Sequence, residues 1–267
     1  MRKFLIFPIL LLALSTFAQS VKPVAAAESE NSKKARAILN QMIEALGGQA
    51  YLNVKDMQQE GRTYSFYQGK PNSVGTVFFR SWKFPDKDRT EYTKDRDVAI
   101  VFNGDKGYEI TFKGTAAVEP ETMRDYIRRR DHSLENVLRV WLPDPKTALF
   151  FDGTAVAEQK YCDSVTLLSP TNDSVTIYVD THTHLPVKKT FEWRDRTDRL
   201  KNVEGEIYDN FRMVDGVLTP HTLLWSKNGD TTRQRFITSV KYNVGLPDSL
   251  FEATVTYDPY KHSGKRE

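Results

Sequence analysis

The chain has a single cysteine, Cys162, among its 267 residues, so no internal disulfide can form and folding has to rest on core burial. The motifs that open the common catalytic readings are also missing. There is no Gly-x-Ser-x-Gly elbow, no Gly-x-Gly-x-x-Gly or phosphate-loop pattern and no helical His-Glu-x-x-His, which leaves a serine hydrolase, a nucleotide-binding protein or a zinc protease without starting evidence. A mean hydropathy of −0.53 excludes a multi-span membrane protein. Disorder is excluded from the other side, because 39% hydrophobic and 12% aromatic residues are enough to build a core. Charge of one sign is scarce too. The formal charge of +3 comes from Arg2, Lys3 and Lys22, which precede every acidic residue, so the body from Glu28 onward is neutral and the basic balance is no sign of an acidic partner or of nucleic acid.

Those three basic residues mark an export segment at 1–27. A short basic start leads into an apolar run at 4–18, too short for a comfortable bilayer span, and two small-residue cleavage sites follow, after Ala18 and after Ala27. No cysteine stands at either site, so a lipid anchor is not expected and the mature protein should be soluble in the periplasm.

Residues 28–257 read as one domain, with a polar tail at 258–267. Ala35, Ile38, Leu39, Met42, Ile43 and Leu46 recur at helical spacing and stop at Gly47-Gly48. From 56 to 112 the apolar period becomes two, with turn clusters such as Gly69-Lys70-Pro71-Asn72 and Asn103-Gly104-Asp105 between the runs. Pro120 then opens a second helical stripe, Met123, Ile127, Leu134, Leu138 and Trp141, with a break near His132-Ser133. Strands at hairpin spacing resume from Val165 to Tyr242. This pattern predicts a mainly β protein: a strongly curved antiparallel sheet, an incomplete barrel, with helices over its concave face. Phe66, Phe78, Trp82, Phe102, Tyr108, Phe191, Trp193, Phe211 and Trp225 are the aromatic residues expected on the inner wall. Alternation alone does not distinguish a hollow interior from one filled by the same side chains.

The motifs Glu44-Ala45-Leu46-Gly47-Gly48, Asp180-Thr181-His182-Thr183-His184-Leu185-Pro186, Phe211-Arg212-Met213-Val214-Asp215-Gly216 and Asn243-Val244-Gly245-Leu246-Pro247 come in an order that resembles the bacterial outer-membrane lipoprotein-sorting superfamily, the LolA/LolB-like proteins. The resemblance covers nearly the whole mature chain. It implies a hydrophobic cavity, a helical lid and a periplasmic protein that carries or senses lipid-bearing molecules, working as a monomer with inner- or outer-membrane proteins as partners. Such a carrier must hide acyl chains, since exposing ~16 carbons costs on the order of 12 kcal/mol at ~0.8 kcal/mol per methylene. The helix with Met123, Ile127, Leu134, Leu138 and Trp141 is the expected lid. No residue matches the buried basic group by which family carriers tie lid to barrel, Arg80 and Arg89 being the nearest substitutes. The alternative function is an envelope sensor or protein-interaction module with no transported ligand.

Other chemistry is weakly signalled. Asp180-x-His182-x-His184 has metal-like spacing, with His221 as a speculative further ligand, but also reads as a strand end entering a turn. Cys162 reads as a small buried hydrophobe rather than a nucleophile. Arg124, Arg128, Arg129 and Arg130 form a basic run that reads as the solvated side of the lid helix or as a contact for lipid phosphates. The expectation is therefore a non-enzymatic protein with no metal and no cofactor.

Overall fold

The computed structural model describes residues 29–259; the export segment and all but the first two residues of the tail lie outside the described residues. Helix α1 spans Glu30–Leu46. Ser29 caps its start by accepting from the Ser32 N–H, and its buried residues are the six of the sequence stripe. Gly47 ends it at φ 124°, and a β-carbon there would strike the Gly216 carbonyl, so glycine is needed both for backbone conformation and for the close approach of a β-turn. A short helix, α2, follows at Gln49–Leu52.

The strands form one antiparallel sheet. They are β1 (Asp56–Tyr67), β2 (Lys70–Pro71), β3 (Thr76–Lys83), β4 (Lys87–Tyr92), β5 (Val98–Asn103), β6 (Lys106–Thr111), β7 (Gly114–Ala117), β8 (Ala148–Ala157), β9 (Lys160–Leu168), β10 (Ser174–Asp180), β11 (Pro186–Arg194), β12 (Lys201–Val214), β13 (Val217–Lys227) and β14 (Asp230–Tyr242). Their order is β7-β6-β5-β4-β3-β1-β14-β13-β12-β11-β10-β9-β8, with β2 as an extra hairpin on β1. Pairing of β1 with β14 joins the two halves at mid-sheet, while β7 and β8 remain unpaired edges. The sheet is thus a half-barrel. Bulges at Glu60/Gly61, Phe151/Gly153, Tyr178/Val179 and Trp225/Ser226 add the local twist that curls it.

The segment between the two edges crosses the concave face. It contains α3 (Pro120–Asp131), α4 (Leu134–Asn136) and a π-helical turn at Val137–Trp141. The break expected near His132-Ser133 is a real boundary, where the Ser133 hydroxyl accepts from the Asn136 N–H and starts a new helix. Helix α1 fills the β8–β9 end of the concavity, and Leu134, Val137 and Leu138 share its core. Asn31 of α1 bonds both backbone groups of Phe151, at 2.8 Å each, and so blunts part of the β8 edge as a strand would.

The outer face is covered as well. The Asp56 carboxylate accepts the N–H groups of Val244, Gly245 and Leu246, and from there the C-terminal segment lays Leu246 and Phe251 over Val101. A 3₁₀ turn at Asp248–Phe251 ends this strap, whose Thr256 N–H then donates to the Thr115 carbonyl beside β7.

Candidate functional site: a cavity beneath a polar-faced helix

Between the sheet and the α3–α4 crossing lies a cavity of about 490 Å³. That falls within the ~300–1,000 Å³ of ordinary small-molecule sites. Trp82, Phe102, Phe191, Phe211 and Trp225 stand in its wall, with Leu46, Ile100, Leu134 and Leu223 as the aliphatic part.

The other aromatic residues expected on the wall lie elsewhere. Phe78 is fully buried in the core beside it, with the Arg235 guanidinium 4.5 Å from its ring centroid. Trp193 lies beneath α3, with Arg128 at 3.6 Å and Lys227 at 5.0 Å from its ring. Tyr108 pairs with Val101 and packs on the opposite face under the C-terminal strap. Phe66 shares the alternation of Tyr64, whose ring meets Phe236 edge-on at 5.8 Å on that outer face. Tyr108 is covered there by the C-terminal strap, whereas Tyr64 and Phe66 stay half-buried beside the exposed Phe236.

The lid also differs from its expected form. Of its five residues, Leu134 lines the cavity and is fully committed to the core, as is Leu138, and Trp141 packs against the same cluster. Met123 and Ile127 are half-buried, Met123 against the glycine backbone of Gly107, and neither lines the cavity. What α3 presents to the cavity is Thr122, Asp125, Tyr126, Arg129 and Arg130, and none of its residues is fully buried. The crossing is therefore divided: α4 and the π-turn are anchored by apolar burial, and α3 is held by polar and aromatic contacts.

These contacts are specific. Tyr126 stacks on Phe102 of β5 at 3.7 Å and 4° between planes, and burial pushes its phenol pKa up. The Glu204 carboxylate of β12 accepts from Arg128 at 2.9 Å and Arg129 at 2.7 Å. Burial of Glu204 opposes its ionisation, but the two guanidinium groups outweigh that and hold it below the usual carboxylate range. Arg130 donates to the Gly104 carbonyl at 3.0 Å. Of the basic run, then, only Arg124 is confined to α3, where its partner is Glu121; the other three bind the sheet rather than forming a solvated face.

Lys189 of β11, 3% exposed, donates to the His132 carbonyl at the end of α3 at 2.7 Å and pairs with Glu206 at 2.9 Å. From the other side, Arg139 donates to the carbonyls of Tyr51 and Val54 at 2.6 and 2.7 Å. Lys189 is thus a buried basic tie between crossing and sheet, and the half-buried Arg139 ties the crossing to α2 and the segment after it. Arg80 instead forks the Asp88 carboxylate within the sheet, and Arg89 pairs with Glu91 and donates to Leu250 of the strap. The sequence did carry a signal for Lys189, which alternates in step with Phe191 and Trp193 on β11. His132 itself stacks on Phe191 at 4.5 Å and donates from Nδ1 to the Arg128 carbonyl; burial lowers its pKa, keeping it neutral.

The metal-like triplet resolves into a turn. Asp180 accepts from the His182 and Thr183 N–H groups at 2.8 and 2.9 Å, while His182 is exposed and His184 half-buried. His221 is buried, its Nδ1 donating to the Thr219 carbonyl at 2.9 Å. Among the described residues there is no group of three side chains placed to hold a metal ion. Cys162 is buried with Ala157, Val187 and Tyr178, and burial raises its thiol pKa, the reverse of an activated nucleophile.

Solved structures share this architecture. A DUF1329 family protein from Desulfovibrio piger is similar with a TM-score of 0.57 and 14% identity, covering 84% of this chain and 98% of that one. A domain from Vibrio parahaemolyticus, described as an outer membrane lipoprotein-sorting protein, gives a TM-score of 0.52 and 12% identity over 83% of this chain and 97% of the other. A LolA superfamily protein from Nitrosomonas europaea covers 82% and 97% at 14% identity, with a TM-score of 0.48. No protein-family model and no curated protein matches the chain. The fold is accordingly that of the DUF1329 and lipoprotein-sorting structures: an open antiparallel half-barrel with helices across its concave face.

Proposed function

We propose that this protein is a periplasmic, non-enzymatic carrier or chaperone that holds a lipid, or the acylated end of a lipoprotein, in the cavity beneath α3. The observation that carries the reading is the 490 Å³ cavity itself, lined by eleven aromatic side chains, Trp82, Phe102, Phe191, Phe211 and Trp225 among them, and closed on one side by a helix with no fully buried residue. A helix held by ion pairs and ring stacking can swing away without stripping a large apolar surface, which is what loading and release require. The likeness in fold to a lipoprotein-sorting domain supports the same reading. So does the absence, among the described residues, of any helix long and apolar enough to cross a membrane, taken with the export-like residues 1–27.

Protein purified from its host's envelope should carry lipid-sized added mass in native mass spectrometry, released when the protein is unfolded. A bare mass, with a stoichiometric protein partner in its place, would favour the sensor reading. That second reading has its own supporting feature, the unpaired edges of β7 and β8, to which a partner strand can add.

A further inference from the structure

Seven basic and five acidic side chains line the cavity, and the excess is localised. Arg80 is matched by Asp88, Arg129 by Glu204, and Lys189 by Glu206, while Arg130 and Arg139 reach backbone carbonyls. Arg233 and Arg235 remain. They stand two apart on β14 and so on one face of the sheet. Among the described residues no carboxylate lies within 4.0 Å of either: of the other two acids in the wall, Asp125 pairs with Arg128 and Arg129, and Glu135 pairs with neither arginine. Arg235 is 6% exposed, and both Nε atoms are buried without a hydrogen-bond partner. Their close neighbours are aromatic faces: Arg233 lies 4.1 Å and Arg235 5.6 Å from the Trp225 ring.

Stacking offsets only part of the cost of burying two cations side by side. Burial first, and then the neighbouring arginine charges, hold both guanidinium groups below the ordinary arginine range. A pair of desolvated forks whose Nε–H groups have no partner, one of them also bonded to Tyr92, set against an indole and open to a cavity, is complementary to a planar or tetrahedral oxyanion joined to an apolar group.

We propose that Arg233 and Arg235 form an anion seat inside the cavity, so that the ligand is an anionic amphiphile whose carboxylate or phosphate lodges on the two guanidinium groups while its chain lies along Trp225, Phe211 and Leu223. This rests on the carrier reading for the chain of the ligand, and on the arginine pair alone for its headgroup. An uncharged lipid leaves the seat empty and binds more weakly.

The test uses the mature chain and four probes in calorimetric titration: oleate, oleoyl lysophosphatidate, monoolein and inorganic phosphate. The wild type should bind the two anionic amphiphiles at least tenfold more tightly than monoolein. Arg235→Gln should erase that preference, bringing the affinity for both anionic amphiphiles down to the affinity for monoolein measured on the same variant, with Arg233→Gln reducing the preference in the same direction. Each variant should also melt no lower than the wild type, because an uncompensated buried charge has been removed; a lower melting point would mean the charges are already compensated and would count against the seat. Equal wild-type affinity for oleate and monoolein overturns the seat and leaves the carrier reading standing. Phosphate binding that depends on Arg235, with no amphiphile bound, supports a seat for free small anions and overturns the carrier reading. Binding of none of the four overturns both.

Discussion

Replacing Glu204 by glutamine should loosen α3 while leaving the half-barrel folded. Glu204 is 7% exposed and receives two charge-assisted hydrogen bonds, from Arg128 and Arg129, that together join the helix to β12. Each such bond contributes ~1.5–3 kcal/mol when buried. The full sum is not available here, because the Arg129 side chain is 45% exposed, and Arg128 keeps Asp125 and its stacking on Trp193. A loss of about 2 kcal/mol in helix docking is the reasonable expectation, equivalent to about a thirty-fold rise in the open population. Native-state hydrogen exchange reads this directly. Amides of α3 should exchange about thirty-fold faster in Glu204→Gln, with α1 protection unchanged. If α3 exchanges as in the wild type, the Glu204 clamp is not what holds it; if α1 loses protection by the same factor, α3 is no independent unit.

Three further outcomes follow from the same contacts. Lys189→Met removes the tie to the His132 carbonyl and leaves the half-buried Glu206 carboxylate with only the Tyr208 hydroxyl, so thermal unfolding should show a loss of about 3 kcal/mol; near-neutral behaviour would mean that Tyr208 and solvent suffice for Glu206. Folded-state pKa values of Glu204 and Glu206 lie below their usual 4.5, so their contribution is complete above that value and disappears as pH falls through the lower folded values. His132, depressed from 6.5, favours the folded state fully above 6.5 and progressively less below it; a melting curve followed from pH 7 downward should show that limb, and His132→Gln should lack it. Cysteines at Phe102 and Tyr126, whose rings stack across β5 and α3, bridged by a short bifunctional thiol reagent in a Cys162→Ala background, should block uptake of a fluorescent lipid that the unbridged form takes up. Equal uptake with and without the bridge would end the lid role of α3.

How much of this was readable beforehand differs by element. The buried stripe and the glycine stop of helix α1 were legible to the residue, because they follow one local period, whereas its polar start at Glu30 precedes the first apolar residue of the stripe. The strands were legible as strands but not as faces. Two-residue alternation assigns a face only when one side of the sheet is solvated, and here the C-terminal strap covers the outer side around Val101, which is why Tyr108 sits there. Phe211 reaches the cavity although it is out of step with Tyr208, because Asn210 takes a positive φ of 55° between them. Inward charge was the hardest feature to foresee. Glu204, Glu206, Arg233 and Arg235 occupy positions that look solvent-facing by residue type, and only their step with Tyr208 and Ile237 along the same strands marks them as interior. The family resemblance supplied the half-barrel and the crossing helices, and left open how the crossing is held, since that depends on ion pairs between residues as far apart as Arg128 and Glu204.

The claim beneath the rest is that an alkyl chain enters the space between the sheet and α3. Trp82 and Trp225 line that space, and Trp141 and Trp193 do not. Titration with a nitroxide-labelled stearate should therefore quench tryptophan emission saturably, and the quenching should largely vanish in the Trp82→Phe/Trp225→Phe variant. Quenching that rises without saturation, or that the double variant retains in full, would show that the chain stays outside the cavity.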